Sequence, residues 1–188
     1  MPPKTVFTRE DVIQAAFDVV EYQGMQGLTV RKVARELKSS TAPVYSNFES
    51  MGELEREVVR RAKDLLLSYT RRPYTERVFL NMGTGYAIFA REHSKLFSAI
   101  FLERGDFKYI IDEFLNSLGK EMINDTRFTA MSAERRDALL VKMWIFTHGL
   151  ATLICVGLSE DSSDEYIITT LMAVGSAVIG AALAQSKS

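Results

Sequence analysis

The residues of this 188-residue chain whose types and spacing best suit a chemical role lie between positions 40 and 47. Ser40, Thr41 and Ala42 are small, so a backbone that carries them can approach another molecule closely. Hydroxyl groups read base edges, and the Thr41 methyl and Ala42 suit contact with a thymine methyl. Tyr45 and Asn47 follow as hydrogen-bonding side chains that can reach phosphates. This set indicates contact with DNA.

A group of basic residues precedes this set, at positions 31 to 38. They predict a local positive strip, which attracts nucleic-acid phosphates, although a solvated helix face is the alternative interpretation. The chain as a whole has no such excess, because 23 Lys and Arg face 24 Asp and Glu, for a formal net charge of −1. The position of these basic residues, and not the net charge of the chain, therefore supports the prediction that this region contacts DNA. The strip consists of Arg31, Lys32, Arg35 and Lys38, interrupted only by Glu36.

No residues are arranged for catalysis or metal binding. His93 and His148 lie far apart, and neither stands at metal-ligand spacing from another His or Cys. Cys155 lies in an apolar run and is expected to be a small packed residue rather than a nucleophile. We therefore predict no enzymatic activity, no metal site and no cofactor. A single cysteine suits a reducing compartment, which favours the cytoplasm.

The elements that position these residues are helices throughout, because apolar residues recur at spacings of three and four and no alternating strand pattern occurs. A medium helix, a short helix, a turn and a second short helix form the order of a helix-turn-helix unit. In such a unit the second short helix enters the major groove. The predicted signals are a capping box of Thr8 with Asp11, a stop at Gly24, a cap at Thr29, a cap at Ser40 for a helix over Thr41 to Ser46, and a second box of Ser50 with Glu53.

Six more helices are predicted beyond this unit, which makes nine in all. Pro73 and Gly105 separate some of them, and Ser132 and Ser162 (with Glu165) cap the last two. The predicted helices cover residues 51–71, 74–91, 95–102, 106–124, 132–157 and 163–184. The sequence thus favours an all-α fold with a small N-terminal unit and a larger C-terminal bundle.

A set of matched positions over residues 8–54 links this pattern to a known family. The positions are Thr8, Ala15-Ala16-Phe17, Gly24, Gly27-Leu28-Thr29-Val30, Val33-Ala34, Val44-Tyr45, Phe48 and Leu54. The segment closely resembles the DNA-binding region of tetracycline-repressor-type (TetR/AcrR) transcriptional regulators, whereas the remainder matches that family only in helix count and order. The resemblance implies a three-helix DNA-binding domain over 1–52, a connecting fourth helix over 51–71, and a ligand-binding and dimerisation domain over 53–188.

The resemblance also implies roles for individual residues. Thr29 would cap the second helix near a phosphate, and Tyr45 and Asn47 would contact backbone phosphates. The residues facing bases would be Thr41, Ala42 and Pro43. Together with the basic strip, the predicted DNA-binding set is Thr29, Arg31, Lys38, Ser40, Thr41, Ala42, Pro43, Tyr45 and Asn47.

The sequence departs from the family pattern at three places. Lys38 stands where the family usually has a glycine, so we expect a lysine in the left-handed conformation there. Ser39 stands at a position that is usually apolar. Met51 and Gly52 replace the usual phosphate-binding lysine, which predicts a weaker hold on the DNA backbone.

The central and last helices carry the features expected of a sensing domain. Aromatic residues crowd the central helices, and the proposed lining of a ligand cavity is Tyr86, Phe89, Trp144 and His148. Most of these aromatics must also serve as core, and a packed interface residue is the alternative for His148. Small residues, among them Gly149, Gly175 and Gly180, suit close packing of the last two helices in a four-helix dimer seam. Intrachain or membrane packing is the alternative.

Taken together, the sequence predicts a ligand-responsive DNA-binding transcriptional regulator. It would be a homodimeric repressor, released from a palindromic operator by a small apolar or amphipathic molecule. The uncharged runs Met143 to Ser159 and Tyr166 to Ser186 leave a membrane-anchored helical protein as one alternative, although no membrane association is expected. A small-molecule binding protein with weakened DNA binding is the other.

Overall fold

The computed structural model describes residues 6–103 and 107–184. Within these residues the chain forms nine α-helices, two short 3-10 turns and no β-strand, which confirms the predicted all-α fold class and helix number. The helices are α1 Arg9–Gln23, α2 Val30–Glu36, α3 Ala42–Asn47, α4 Met51–Thr70, α5 Val78–Glu92, α6 Ser94–Phe101, α7 Lys108–Met122, α8 Ala133–Cys155 and α9 Asp164–Ala184.

The described chain packs as two units. The first contains the described residues up to Asp64 together with His93–Ile110. The second contains Leu65–Glu92 and the described residues from Ile111 onward. No local sequence signal predicted that α6 packs in the first unit, against α1. The boundary near residue 52 between two independent domains stays a prediction.

The first unit begins with the predicted capping box. The Thr8 hydroxyl accepts a hydrogen bond from the Asp11 N–H at 3.2 Å, and the Asp11 carboxylate accepts one from the Thr8 N–H at 2.8 Å. α1 ends at Gly24, whose positive φ of 74° suits a residue without a side chain. Between these ends, fully buried residues such as Val12 and Val20 face α2, α3 and α6. Local caps and an apolar stripe thus define the helix that supports the rest of the unit.

Two N-terminal caps differ from the prediction in detail. α3 begins at Ala42, one residue later than predicted, because Thr41 is the N-cap residue; the Ser40 hydroxyl instead accepts a bond from the Ala42 N–H at 3.4 Å. At α4 the Ser50 hydroxyl accepts from the Glu53 N–H at 3.2 Å, as predicted. The Glu53 carboxylate accepts a hydrogen bond at 2.9 Å from the N–H of Glu49. A complete capping box would have the N–H of Ser50, the next residue, as this donor.

Later helix boundaries are partly corrected. α5 begins at Val78 rather than Tyr74, because the Asn81 amide bonds to the backbone and hydroxyl of Thr75 and holds that segment in a turn. α9 is capped by Ser163 rather than Ser162, since the Ser163 hydroxyl accepts from the Tyr166 N–H. The predicted helix break at Gly105 and helix start at Asp106 lie outside the described residues. Ser132 caps α8 as predicted.

The second unit is built around α5, which packs against α8 and α9. Tyr69, near the end of α4, approaches α5 so closely that a Cβ on Gly85 would lie 2.1 Å from the Tyr69 carbonyl oxygen. Asp125 accepts a hydrogen bond at 3.2 Å from the N–H of Phe79, in the first turn of α5. The start and middle of α5 are therefore fixed from two sides, which positions the residues that face α8 and α9.

Candidate nucleic-acid interface and ligand cavity

The helix-turn-helix region displays a positively charged surface on α2. Thr29 caps this helix, and its hydroxyl accepts a hydrogen bond from the Lys32 N–H at 3.4 Å. Arg31, Arg35 and Lys38 are exposed. Over residues 6–103 and 107–184, no ion pair involves any of these three side chains or that of Lys32. Their charge is available to an anionic partner such as DNA.

The turn between α2 and α3 is closed by a Schellman motif. The Ser39 N–H donates to the Ala34 carbonyl at 2.9 Å, and the Lys38 N–H donates to the Arg35 carbonyl at 3.0 Å. Lys38 has a φ of 52°, which is the left-handed conformation expected from its place in the family pattern. A lysine here costs about 1 kcal/mol relative to a glycine, and in return the turn carries a positive charge.

Helix α3 is anchored by apolar residues and exposes Ala42 and Tyr45. Val44 and Phe48 are 2% and 5% exposed, and they attach α3 to the core of the first unit. Ala42 is exposed, and Tyr45 is 69% exposed, a large fraction for an aromatic residue. The N-terminal end of α3 and the Tyr45 side chain are thus free to meet another surface.

A cavity of about 300 Å³ lies in the second unit, between α5, α8 and α9. Its walls are mostly apolar, with two arginines and a few hydrogen-bonding groups, which is the usual composition of a small-molecule site. Principal lining residues are Arg77, Phe79, Met82, Tyr86, Arg127, Leu140, Met143, Trp144, Thr147, Leu171 and Ile179.

A polar cluster borders the cavity at Tyr86. The Tyr86 hydroxyl and His148 Nδ1 are hydrogen-bonded at 2.8 Å. Burial raises the pKa of Tyr86 well above its ordinary value and lowers the pKa of His148, so both groups are neutral at pH 7. The Trp144 ring lies 5.3 Å from the His148 ring between centroids, and its buried indole N–H makes no hydrogen bond of good geometry within the described part of the chain. This wall offers neutral hydrogen-bonding groups rather than charge.

Asp125 and Arg127 lie near the first turn of α5, where Arg127 lines the cavity. The Arg127 guanidinium donates to both oxygens of the Asp125 carboxylate, at 2.8 and 2.7 Å. These bonds, followed by the one from the Phe79 N–H, lower the pKa of Asp125. Asp125 is therefore ionised at neutral pH and offsets the charge of Arg127.

Comparison with known proteins links this geometry to DNA-binding regulators. No protein-family model matches the chain. Over 71 residues the chain is 34% identical to the HTH-type transcriptional repressor DrrR1 of Streptomyces coeruleorubidus, a match that covers 38% of this chain and only 23% of that protein. An uncharacterised HTH-type transcriptional regulator of Mycobacterium tuberculosis is 21% identical over 172 residues, 88% of this chain and 78% of that protein.

The match to solved structures extends over both units. A tetR-family transcriptional regulator from Streptomyces coelicolor superposes with a TM-score of 0.73, covering 95% of this chain and 87% of that chain at 18% identity. The chain has the TetR-type fold. The resemblance first drawn from residues 8–54 is thereby confirmed, although the second unit offers no comparable sequence pattern.

The TetR-type fold brings together only part of the predicted cavity set. Tyr86 and Trp144 line the cavity, whereas His148 is not among its lining residues and is hydrogen-bonded to the Tyr86 hydroxyl. Phe89 is fully buried, packs edge-on against the Tyr69 ring at 5.6 Å, and is not among the lining residues. Phe89 lies three residues beyond Tyr86 and packs against Tyr69 of α4, a contact between distant segments that aromatic content alone does not reveal.

In the helix-turn-helix region of the TetR-type fold, the Asn47 side chain is engaged within the chain. Its amide donates to the Pro43 carbonyl at 2.8 Å and to the Phe7 carbonyl at 3.4 Å. A phosphate contact from this side chain would require giving up these bonds. The predicted contact therefore stays a prediction, with Tyr45 as the less constrained candidate.

Sequence reasoning did not single out Arg9, the residue that fixes α3 to α4. Its guanidinium donates to the Asn47 carbonyl at 2.9 Å, pairs with Glu53 at 2.9 Å and with Glu57 at 3.1 Å, and covers the Phe48 ring at 4.1 Å. The N–H of Glu49 and this guanidinium lower the pKa of Glu53. The sequence feature that could have predicted a basic partner is the pair Glu53 and Glu57 at i, i+4. Two carboxylates at this spacing repel each other, and a nearby cation stabilises them.

The last two helices of the TetR-type fold expose an apolar face. Ile145 and Leu153 on α8 and Val156 at its C-cap are 63%, 47% and 52% exposed, and Met172 on α9 is 37% exposed. A Cβ added to Gly149 or Gly180 would meet no atom of the described chain within 4 Å. By length and composition alone, α8 and α9 could each cross a membrane, with 39% and 17% of their most apolar stretches buried. An exposed apolar face of this kind is typical of an interaction surface.

Proposed function

We propose that the protein is a homodimeric TetR-type transcriptional regulator, a repressor that binds a palindromic operator and is released from it by a small molecule. The observation that carries this proposal is that the start of α3 and the Tyr45 side chain are exposed. They belong to a helix-turn-helix unit in a chain with the TetR-type fold. The 34% identity to a helix-turn-helix repressor over 71 residues supports the same role.

The proposed DNA contacts divide into base reading and phosphate binding. Thr41, Ala42 and Pro43 at the start of α3 would face base edges in the major groove. Tyr45, with Arg31 and Lys38 on the α2 side, would bind phosphates on the flanking backbone. Phosphate contacts position the unit and base contacts select the sequence. With Met51 and Gly52 at the start of α4, the grip on phosphate depends chiefly on the basic strip.

The proposed dimer would form through the exposed apolar face of α8 and α9. A second copy of the chain would bury Ile145, Leu153 and Met172, and the open space at Gly149 and Gly180 would let the partner's helices approach closely. Two recognition helices would then engage half-sites roughly 34–36 Å apart. Joint binding of both half-sites would supply the affinity that one weakly charged unit lacks.

The proposed ligand response rests on the cavity between α5, α8 and α9. A molecule that binds better to one arrangement of the dimer shifts the population toward it. If the favoured arrangement separates the two α3 helices by a distance other than one DNA turn, the operator is released. Catalysis and cofactors have no part in this proposal, and the proposed location is the cytoplasm.

The test is a mobility-shift titration on the DNA that flanks the protein's own gene. We expect the wild type to bind one region well above the non-specific background. Tyr45→Ala should weaken that binding about tenfold, whereas Tyr22→Ala should not change it, because Tyr22 is also largely exposed (80% against 69%) but lies on α1. Binding no tighter than to unrelated DNA, or equal loss in both variants, would contradict the proposal.

A membrane-anchored protein is the second candidate, favoured by the length and apolar character of α8 and α9. Polar groups near the middle of α8, among them Thr147 and His148, speak against a lipid environment. Cell fractionation separates the two candidates. We expect a detergent-free soluble dimer, and recovery in the membrane fraction would instead support anchoring.

A further inference from the structure

The cavity in the second unit has an uneven distribution of charge. Arg77 and Arg127 are the charged residues of its wall, and no acidic side chain lines the described cavity. Arg77 immediately precedes the first residue of α5, and Asp125 and Arg127 are joined to the same helix start through the Phe79 N–H. Charged groups are therefore confined to the region where α5 begins.

The charges at this end do not cancel. The Asp125 carboxylate takes two hydrogen bonds from Arg127, which pairs these two residues. Among the residues that the structure describes, no carboxylate forms an ion pair with the exposed Arg77 side chain. The positive end of the α5 dipole lies here as well. The charge of the Arg77 guanidinium is therefore not balanced by a carboxylate of the described residues, and this side chain would bind an anionic group.

The remainder of the wall is mostly apolar and its polar groups are neutral. Phe79 and Met82 lie between Arg77 and Tyr86 along α5, and Leu140 and Met143 add apolar wall from α8, the helix that also carries Trp144. Tyr86 is eight residues beyond the first residue of α5, a distance of about 12 Å along the helix axis. The cavity thus suits an elongated apolar body with an anionic group at one end only.

We propose that the cavity binds an amphipathic organic monoanion, with its carboxylate at Arg77 and its apolar body extending toward Trp144. This inference rests on the proposed function and names the chemical class of the regulatory ligand. A second anionic group is not accommodated, because the opposite wall offers neutral groups. A cationic ligand would face Arg77 without a compensating carboxylate.

The chain provides its own reporter for the test, since Trp144 is its only tryptophan and lines the cavity. We would titrate the full-length protein with three ten-carbon probes that differ in head group: decanoate, 1-decanol and decyltrimethylammonium. Trp144 fluorescence and titration calorimetry would measure each affinity. The same titrations would be made with Arg77→Gln and with Lys120→Gln. The latter removes an equal charge from an exposed residue of the same unit that is outside the cavity.

The expected result is that decanoate binds about tenfold more tightly than decanol, and that decyltrimethylammonium binds most weakly. Arg77→Gln should bring decanoate to the affinity of decanol and leave decanol unchanged, and Lys120→Gln should alter neither. Equal affinities for the three probes, a preference for the cation, no binding, or an unchanged decanoate preference in Arg77→Gln would each overturn the inference. The DNA titration with Tyr45→Ala is independent of these outcomes, so a failure here is distinguishable from a failure of the proposed function.

Discussion

Two exposed surfaces of the molecule differ in chemistry. The surface of α2 and α3 presents Arg31, Lys38 and Tyr45, a set that is charged or hydrogen-bonding. The face of α8 and α9 presents Ile145 and Leu153, which carry no polar group. A charged surface is stable in water without a partner, whereas an apolar face of this kind is stabilised by one. The first is therefore suited to reversible, salt-dependent binding and the second to a lasting interface.

The interiors of the two units differ in a related way. Around α3 the first unit is closed by the Arg9 network and by local caps. The second unit leaves a cavity of about 300 Å³ next to polar groups such as the Trp144 N–H, which forms no hydrogen bond of good geometry among the described residues. Under the proposed function, the first unit would supply a rigid surface for reading DNA and the second would supply space that a ligand can fill.

The largest expected effect comes from placing a charge on the apolar face. Ile145→Glu would bury a carboxylate in the proposed dimer seam, so we expect a monomer and a loss of operator affinity of at least about 100-fold. Sedimentation and DNA titration would measure the two effects. Ile123→Glu is the matched control, because Ile123 is 49% exposed and lies outside α8 and α9. An Ile145→Glu protein that remains dimeric would contradict the proposal that the apolar face of α8 and α9 forms the dimer, and with it the distinction between the two surfaces.

A steric test addresses the core of the second unit. Gly85→Ala would place a Cβ against the Tyr69 carbonyl, and we expect a loss of about 2–3 kcal/mol in unfolding free energy. Gly119→Ala, whose Cβ would lie at an ordinary 3.5 Å from Asp137, should be neutral or stabilising. Urea unfolding would measure both. An unfolding free energy of Gly85→Ala equal to that of the wild type would contradict the close approach of the Tyr69 carbonyl to α5.

A third test separates charge from conformation at Lys38. Lys38→Gly should raise stability by about 1 kcal/mol, because glycine adopts a positive φ without strain. Both Lys38→Gly and Lys38→Ala should reduce the slope of log affinity against log salt by about 0.9, the contribution of one phosphate contact. Only the glycine variant should be more stable in urea. Equal stability of the two variants would show that Lys38 is not strained, and unchanged slopes would show that it does not contact phosphate.

The smallest expected effect is a pH dependence in the second unit. Burial holds the pKa of His148 below its ordinary value of about 6.5, so the unfolded chain takes up the proton first. Stability is therefore fully present above pH 6.5 and falls as the pH decreases toward the folded pKa, and the loss should be small because the ring is only partly buried. His148→Asn should flatten this dependence in thermal melts between pH 5.5 and 7.5. An identical pH dependence in the variant would exclude His148 as its source.

What the sequence predicted correctly has short-range causes. The caps at Thr8, Thr29 and Ser132 depend on residues three positions apart, and the positive φ of Lys38 follows from its place in the turn. Contacts between distant segments were not predictable in this way. Arg9 meets Glu57 across 48 positions, and the Phe79 N–H meets Asp125 across 46. The cavity has the same long-range origin: its lining includes Arg77, which the sequence did not single out, and does not include the predicted Phe89 and His148.

The most direct measurement is a hydroxyl-radical footprint of the wild-type protein on the DNA that flanks its gene. If α3 reads the major groove and α8 and α9 hold two copies together, two protected segments should appear on one face of the duplex. Their centres should be separated by about one helical turn, roughly 10 base pairs. A single protected segment, or uniform protection that follows total DNA concentration rather than sequence, would contradict the assignment of the charged surface to DNA reading and the apolar face to dimer formation.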